Sequence, residues 1–199
     1  MDPSFRIRQY PLDRGAMEIE FIEEFFGEFE RKKTAAEIRA RLAGREHGIF
    51  MVEAPLPEEP TRFIPVCYRV AHELRAAETD PQLADLVARL DGAVRFHGQR
   101  VLYGWLGGTR SDWRGQGLFR AVSEFQEDWA AEQGFREVVV KTKNRYYAMR
   151  SALVHLNFDV IQYERNAMHN GESKLYLSKR LGGGVGRTWR RSEARFRTA

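Results

Sequence analysis

The amino-acid sequence predicts an α/β protein of the α+β kind, in which helices surround a central sheet of mixed strand direction. Segments with strand patterns and segments with helical periodicity follow one another without strict alternation, and no internal repeat is present. Their predicted order is β-α-α-β-β-α-β-α-β-α-β-β. The 199 residues suit one domain with a substantial hydrophobic core.

Seven segments have the patterns of β-strands. The first alternates in character, with Phe5 and Ile7 on one face and Arg6 and Arg8 on the other. The fifth contains the β-branched run 138–140, which is typical of a central strand covered on both faces. In chain order, the predicted strands are 5–10, 47–53, 63–72, 100–106, the segment around 138–140, 158–164 and 174–179.

Five segments have the periodicity of amphipathic helices. The first repeats phenylalanine every four residues, at Phe21, Phe25 and Phe29, which we interpret as a core face rather than a substrate box. The second opens with Thr34 and Glu37, which have the spacing of a capping box. In chain order, the predicted helices are about 17–31, 34–43, 80–90, 116–133 and a segment capped by Asn144.

The composition is that of a soluble globular protein, with 43% hydrophobic and 30% charged residues. No apolar run approaches the roughly 20 residues that span a bilayer, so we expect no membrane segment. Cys67 is the only cysteine, which excludes an internal disulfide and fits a reducing compartment. Because the first ten residues also lack the pattern of a signal peptide, we expect a cytoplasmic protein.

The basic character of the chain lies at its C-terminal end. Residues 182–199 contain five arginines and one glutamate, which accounts for the whole formal charge of +4 and leaves residues 1–181 neutral. Several glycines open this segment, so we predict a domain over 1–181 followed by a flexible, arginine-rich tail over 182–199. We favour a solvated tail over one that contacts nucleic acid.

The stretch between the fourth strand and the next helix has the features of an anion site. The first turn of a helix has unpaired N–H groups and the positive end of the helix dipole. Gly115 and Gly117 let a phosphate approach the backbone, and Arg114 adds a charged donor, so the predicted ligand is a diphosphate. A plain turn that uses glycine for its dihedral angles explains the same spacing, and the pattern matches neither the Walker A nor the Rossmann motif.

The run Arg114-Gly115-Gln116-Gly117-Leu118-Phe119 resembles the acetyl-CoA signature of the GNAT (GCN5-related N-acetyltransferase) superfamily, Gln/Arg-x-x-Gly-x-Gly/Ala. The later segment 136–158, with Asn144 and Leu156-Asn157-Phe158, is similar to the same family. The resemblance covers residues 95–180 well and residues 1–75 only by element order. It implies the GNAT-like acyl-CoA N-acyltransferase fold, whose central, mostly antiparallel sheet is flanked by helices.

The resemblance also implies that acetyl-CoA is the co-substrate and assigns its binding residues. Backbone groups of residues 107–109 pair with the pantetheine arm, residues 114–120 hold the diphosphate, and Asn144 meets the pantetheine or acetyl end in addition to capping its helix. The expected cofactor-binding residues are Gly107, Gly108, Thr109, Arg114, Gly115, Gln116, Gly117, Leu118, Phe119, Arg120 and Asn144. No Cys, His or Asp grouping has metal-binding spacing, so we expect no metal.

Three positions depart from the family pattern. Phe119 replaces a small residue, so its side chain either makes the helix start bulkier or faces the core. Asn157 replaces glycine and is the residue that best tolerates the same left-handed conformation. Leu153 stands where many members have a tyrosine acid, which moves that role to Tyr146 or Tyr147.

Glu73, Tyr103 and Tyr147 are the candidate catalytic residues. The attacking amine must lose a proton to a base or a water relay, for which Glu73, Tyr103 and His97 are candidates. A surface charge explains Glu73 equally, core packing explains Tyr103, and a solvated loop explains His97.

The favoured function is an N-acetyltransferase that moves an acetyl group from acetyl-CoA to a primary amine by direct attack. The amine belongs to a small molecule or a protein, and a homodimer is left open. One alternative is a GNAT-fold acyltransferase that uses a longer acyl donor, like an autoinducer synthase. Another is a non-catalytic module that binds CoA, or a polyanion through the tail. The helix at 80–91 is expected to be an insertion that covers the acceptor cleft or a partner surface.

Overall fold

The computed structural model describes residues 5–12, 17–25, 33–56 and 58–182. Its strands are β1 Arg6–Tyr10, β2 His47–Pro55, β3 Phe63–Leu74, β4 Arg100–Thr109, β5 Phe135–Lys143, β6 Asp159–Glu164 and β7 Lys174–Arg180. Its helices are α1 Met17–Phe25, α2 Ala35–Leu42, α3 Pro81–Leu90, α4 Leu118–Glu132 and α5 Tyr147–His155, with short 3₁₀ turns at Ser111–Trp113 and Asn170–Glu172. The predicted order of strands and helices is therefore confirmed.

The strands form one seven-stranded sheet in the order β1-β2-β3-β4-β5-β7-β6. β1 pairs with β2, β5 with β7 and β6 with β7 in antiparallel fashion, whereas β4 and β5 are parallel. The parallel pair is joined by α4, as a crossover connection requires. The expected mixed, mostly antiparallel sheet with flanking helices is thus confirmed.

The described residues fall into two compact units. The first contains the residues up to 70 together with 106–126. Here Thr34 and Glu37 form the predicted capping box at the start of α2, which buries Ile38 and Leu42. The predicted domain over 1–181 remains a prediction.

The second unit contains residues 71–105 and 127–182. Asp80 caps α3 by accepting hydrogen bonds from the N–H groups of Gln82 and Leu83. The apolar side of α3 packs into a buried cluster, so this helix is part of the core of the second unit. The cluster consists of Leu74, Leu83, Leu86, Leu90, Val94, Val101, Tyr103, Val139 and Tyr176. No helix in the described part of the chain is long and apolar enough to cross a membrane.

Three local expectations need correction or lie outside the description. β4 continues to Thr109 instead of ending at residue 106, and the N–H of Arg110 donates to the Val66 carbonyl at 3.0 Å just beyond it. The expectation that Asn144 caps α5 is wrong, because the residue before that helix is Tyr146 and makes no side-chain cap. Within the described residues α1 ends at Phe25; Phe29 and the tail from residue 183 onward lie outside them.

Candidate active site

The glycine loop, residues 114–117, connects the 3₁₀ turn after β4 to the start of α4. Gly115 and Gly117 have φ angles of 79° and 74°, in the left-handed region that favours glycine. A Cβ atom built on either residue would meet nothing within 4 Å. The loop is exposed and leaves open space above two glycines, which is what the approach of a ligand to the backbone requires.

Main-chain donors are concentrated at this point. The first hydrogen bond of α4 runs from the N–H of Ala121 to the Gly117 carbonyl, at 3.0 Å. Within the described ranges, the N–H groups of residues 115–120 find no acceptor. A helix start of this kind attracts anions, because its N–H groups and the helix dipole act together.

Arginine side chains within and beside the glycine loop form hydrogen bonds and ion pairs with neighbouring residues. Arg114 Nε donates to the Thr109 carbonyl at 3.2 Å. Arg110 forms a two-bond pair with the Asp112 carboxylate, at 3.0 and 2.6 Å. The exposed guanidinium of Arg120 binds Glu124 one turn along α4, at 2.8 Å.

The end of β4, just before this loop, is packed against the side chains of Arg69 and Phe119. A Cβ atom on Gly107 would lie 2.9 Å from Arg69 Cδ and 3.1 Å from Phe119 Cε2. Phe119, which departs from the signature, therefore turns toward β4. Thr109 Oγ1 donates to Cys67 Sγ on β3 at 3.1 Å, and Gly108, the residue before Thr109, is buried.

Cys67 is buried, as expected for a small apolar residue. Burial raises the pKa of its thiol to about 12, despite the hydrogen bond from Thr109 and the nearby Arg69 charge. A thiol with this pKa stays protonated and is a poor nucleophile near neutral pH.

Glu73 lies in the second unit, near the end of β3. Its carboxylate accepts a hydrogen bond from Arg75 Nε and another from Arg100 Nε, each at 3.0 Å. Burial raises the pKa of this carboxyl, but the two arginines outweigh it and hold the pKa below its ordinary value. Glu73 is therefore a weak base in this arrangement.

Tyr103 is 6% exposed and belongs to the buried cluster under α3. The ring of His72 meets Tyr103 and Trp105 edge to face, with centroids 5.5 and 5.8 Å apart. His72 Nδ1 lies 2.8 Å from the carbonyl oxygen of Glu73. The sequence interpretation did not include His72, although a histidine inside an apolar strand segment is a usable signal.

Asn144 joins three segments of the second unit. Its N–H donates to the Ser173 carbonyl at 2.8 Å, and its Nδ2 donates to the Asn170 carbonyl at 3.3 Å. Its Oδ1 accepts a hydrogen bond from Arg150 Nη1 at 2.6 Å. Asn144 thus ties the end of β5 to α5 and to the β6–β7 connection.

The remaining candidates of the second unit differ in exposure. Tyr147, the first residue of α5, is 71% exposed, with the Arg150 guanidinium 5.5 Å from its ring centroid. Leu153 is fully buried, and His97 lines an open cavity of about 720 Å³ beside α3. Among the described residues, no group of three His, Cys, Asp or Glu side chains is placed to hold a metal ion.

Solved structures with the same architecture include N-acetyltransferases. Arabidopsis thaliana NAA60 in complex with acetyl-CoA superimposes with a TM-score of 0.64 at 12% identity, over 89% of this chain and 99% of that one. The ribosomal-protein-S18-alanine N-acetyltransferase from Escherichia coli gives 0.61 at 11%, over 92% and 97%. A GCN5-related N-acetyltransferase from Kribbella flavida gives 0.60 at 15%, over 89% and 98%. This chain has the GNAT fold. The sequence itself matches no family model and no curated protein.

Within the GNAT fold, two departures from the signature have local explanations. Asn157 adopts a φ of 61°, so it takes the left-handed conformation that glycine would take, as expected. Phe119 is accommodated because the facing residue of β4 is Gly107, which has no side chain. The structure brings residues 107–109 and 114–120 together in the first unit, while Glu73, Tyr103, Asn144 and Tyr147 lie in the second unit.

The sequence interpretation missed a buried polar pair in the first unit of this GNAT fold. Arg69 is 3% exposed, and its Nε donates to Gln126 Oε1 at 3.1 Å. Both residues had a signal, since Arg69 interrupts an apolar strand and Gln126 lies on the apolar stripe of α4. Charged or amide side chains at core positions are informative because their burial requires a partner.

Proposed function

We propose that this protein is an N-acetyltransferase that moves the acetyl group of acetyl-CoA to a primary amine. The observation that carries the proposal is the open glycine loop with its unpaired main-chain donors at the head of α4. The proteins of the same fold support it, since they include named N-acetyltransferases and the NAA60 structure holds acetyl-CoA.

The residues present suit the linked phosphates of a CoA thioester. The N–H groups of residues 115–120 would bind the diphosphate, and Gly115 and Gly117 leave room for it to reach them. Arg114 would add a positive charge from the loop itself. Residues 107–109 would pair with the pantetheine arm through their backbone groups. Asn144 would contact the pantetheine or acetyl end of the cofactor.

Acetyl-CoA, when bound, supplies an acetyl group activated as a thioester. Direct attack by the acceptor amine is supported by the buried, protonated state of Cys67, which leaves this cysteine unsuited to carry an acyl group. Of the three candidate catalytic residues, Tyr147 is the most exposed and is our choice for donating a proton to the leaving thiolate. Glu73 is paired with two arginines and Tyr103 is buried in the core, so we rank both below Tyr147 as candidates for proton transfer.

The acceptor we propose is a primary amine of a protein or a small molecule. A protein amine is supported by the same-fold enzyme from Escherichia coli, whose name specifies the alanine of ribosomal protein S18. A screen of thiol release with peptide and small amines separates the two classes.

Isothermal titration with acetyl-CoA tests the glycine loop. Gly117→Trp places an indole where the diphosphate would lie, so we expect the dissociation constant to rise by about 100-fold or binding to vanish. Gly98→Trp is the matched control, because Gly98 also has a positive φ and open space at its Cβ position but belongs to the second unit. Equal binding by wild type and Gly117→Trp would remove the loop from the proposal. Tighter binding of a long-chain acyl-CoA would favour the alternative donor.

A further inference from the structure

We propose that Arg69 and Phe119 form a lock that positions the head of α4 for the cofactor diphosphate. The inference rests on the proposed function and deepens it. Phe119 is the second residue of α4 and lies among the unpaired donors, while Arg69 is on β3. A contact between their side chains therefore links the donors to the sheet.

The first part of the lock is steric. The Phe119 ring and the Arg69 side chain occupy the space over Gly107, where a Cβ atom would lie 3.1 and 2.9 Å from them. Contacts this short force a neighbour to move. The glycine on β4 and the phenylalanine on α4 are therefore complementary in shape, and together they set how closely the helix start approaches the strand.

The second part of the lock is polar. The Arg69 guanidinium carbon lies 5.1 Å from the Phe119 ring centroid, within the range of a cation–π contact. Its Nε donates to Gln126 Oε1 at 3.1 Å, two turns further along α4. One buried arginine therefore holds the helix at two points, and a lysine cannot reproduce both contacts because it lacks the planar guanidinium.

The Gln126 amide is oriented by its contact with Arg69. The Gln126 side chain is fully buried, and its Nε2 has no hydrogen-bond partner among the described residues. An arginine only donates, so the amide oxygen must face it and the amide nitrogen is left over. The Ser123 hydroxyl donates to the Phe119 carbonyl at 2.7 Å, which further fixes the first turn.

The lock predicts a selective effect on ligands that contain the diphosphate. Displacing the head of α4 misaligns the N–H groups of residues 115–120 but leaves the β4 backbone that would face the pantetheine arm. The comparison is therefore between acetyl-CoA and acetyl-pantetheine, which has the same thioester but no diphosphate. For Arg69→Lys and Phe119→Ala we expect the dissociation constant of acetyl-CoA, measured by isothermal titration, to rise about 10-fold, with that of acetyl-pantetheine changed less than about twofold.

The control for general damage is Phe63→Ala, because Phe63 also lies under an arginine of the first unit, with Arg6 3.8 Å from its ring centroid. Phe119→Leu keeps an apolar side chain at the site if the alanine variant fails to fold. Equal losses with both thioesters, or no loss with either, would overturn the lock. Failure of wild type to bind acetyl-CoA would instead overturn the proposed function, so the two ideas fail separately.

Discussion

At the scale of single residues, Glu73 shows how its surroundings change the chemistry of a carboxyl. Its position near the end of β3 suggested a general base, but Arg75 and Arg100 both donate to it. A carboxylate paired in this way contributes to stability through its charge. Its pKa is raised by burial and lowered more strongly by the arginines, so the net value in the folded state is below 4.5.

The sign of this shift predicts how Glu73→Gln affects stability at different pH values. Because the folded pKa is depressed, the contribution is fully present above the ordinary value of 4.5 and is lost as pH falls through the folded value. We expect the substitution to lower the free energy of unfolding by about 1 kcal/mol at pH 7. The difference should shrink below pH 4.5 in urea titrations at several pH values.

The control for this comparison is Glu58→Gln, because Glu58 is exposed and accepts no hydrogen bond among the described residues. If the free energy of unfolding of wild type exceeded that of Glu73→Gln by a constant amount down to pH 3, Glu73 would act through packing rather than charge. That result would contradict the assigned cause of the pKa shift.

At the scale of elements, the sequence predicted what apolar periodicity reports and missed what depends on contacts between distant residues. The run 138–140 and the helix at 80–90 were recognised because burial imposes their patterns. The end of β4 was not, since Gly107 and Gly108 have no side-chain pattern. The pairing of Arg69 with Gln126 joins residues 57 positions apart, so only the fold brings them together.

Helix α3 was expected to be an insertion that covers a cleft or a partner surface, and its packing gives it a larger role in the second unit. Leu86 is 3% exposed and belongs to the cluster under this helix. We expect Leu86→Ala to lower the free energy of unfolding by about 2–4 kcal/mol, because it removes buried methyl groups and leaves a cavity. Urea denaturation of wild type and Leu86→Ala measures this difference in the free energy of unfolding.

The matched control on α3 is Ala84→Ser, because Ala84 is exposed on the same helix. It should change the free energy of unfolding by less than about 0.5 kcal/mol. A cost below about 1 kcal/mol for Leu86→Ala would show that α3 is attached only loosely, and would return it to the role of a removable cover.

At the scale of the whole molecule, the net charge is concentrated at the C-terminal end of the sequence. The five arginines and single glutamate of residues 182–199 carry all the net charge of +4, so the predicted domain is formally neutral. The N–H of Leu181 donates to the Arg136 carbonyl at 2.8 Å, which ties the end of β7 to the start of β5. A chain that ends at residue 182 keeps this bond.

Removing residues 183–199 should therefore leave folding and cofactor binding unchanged while abolishing attraction to polyanions. We expect the free energy of unfolding to stay within about 0.5 kcal/mol of the full chain, and the acetyl-CoA dissociation constant within about twofold. Retention on a heparin column should fall, since the remaining formal charge is zero. Loss of acetyl transfer with acetyl-CoA binding intact would contradict this division, because the arginine-rich segment would then take part in acceptor recognition.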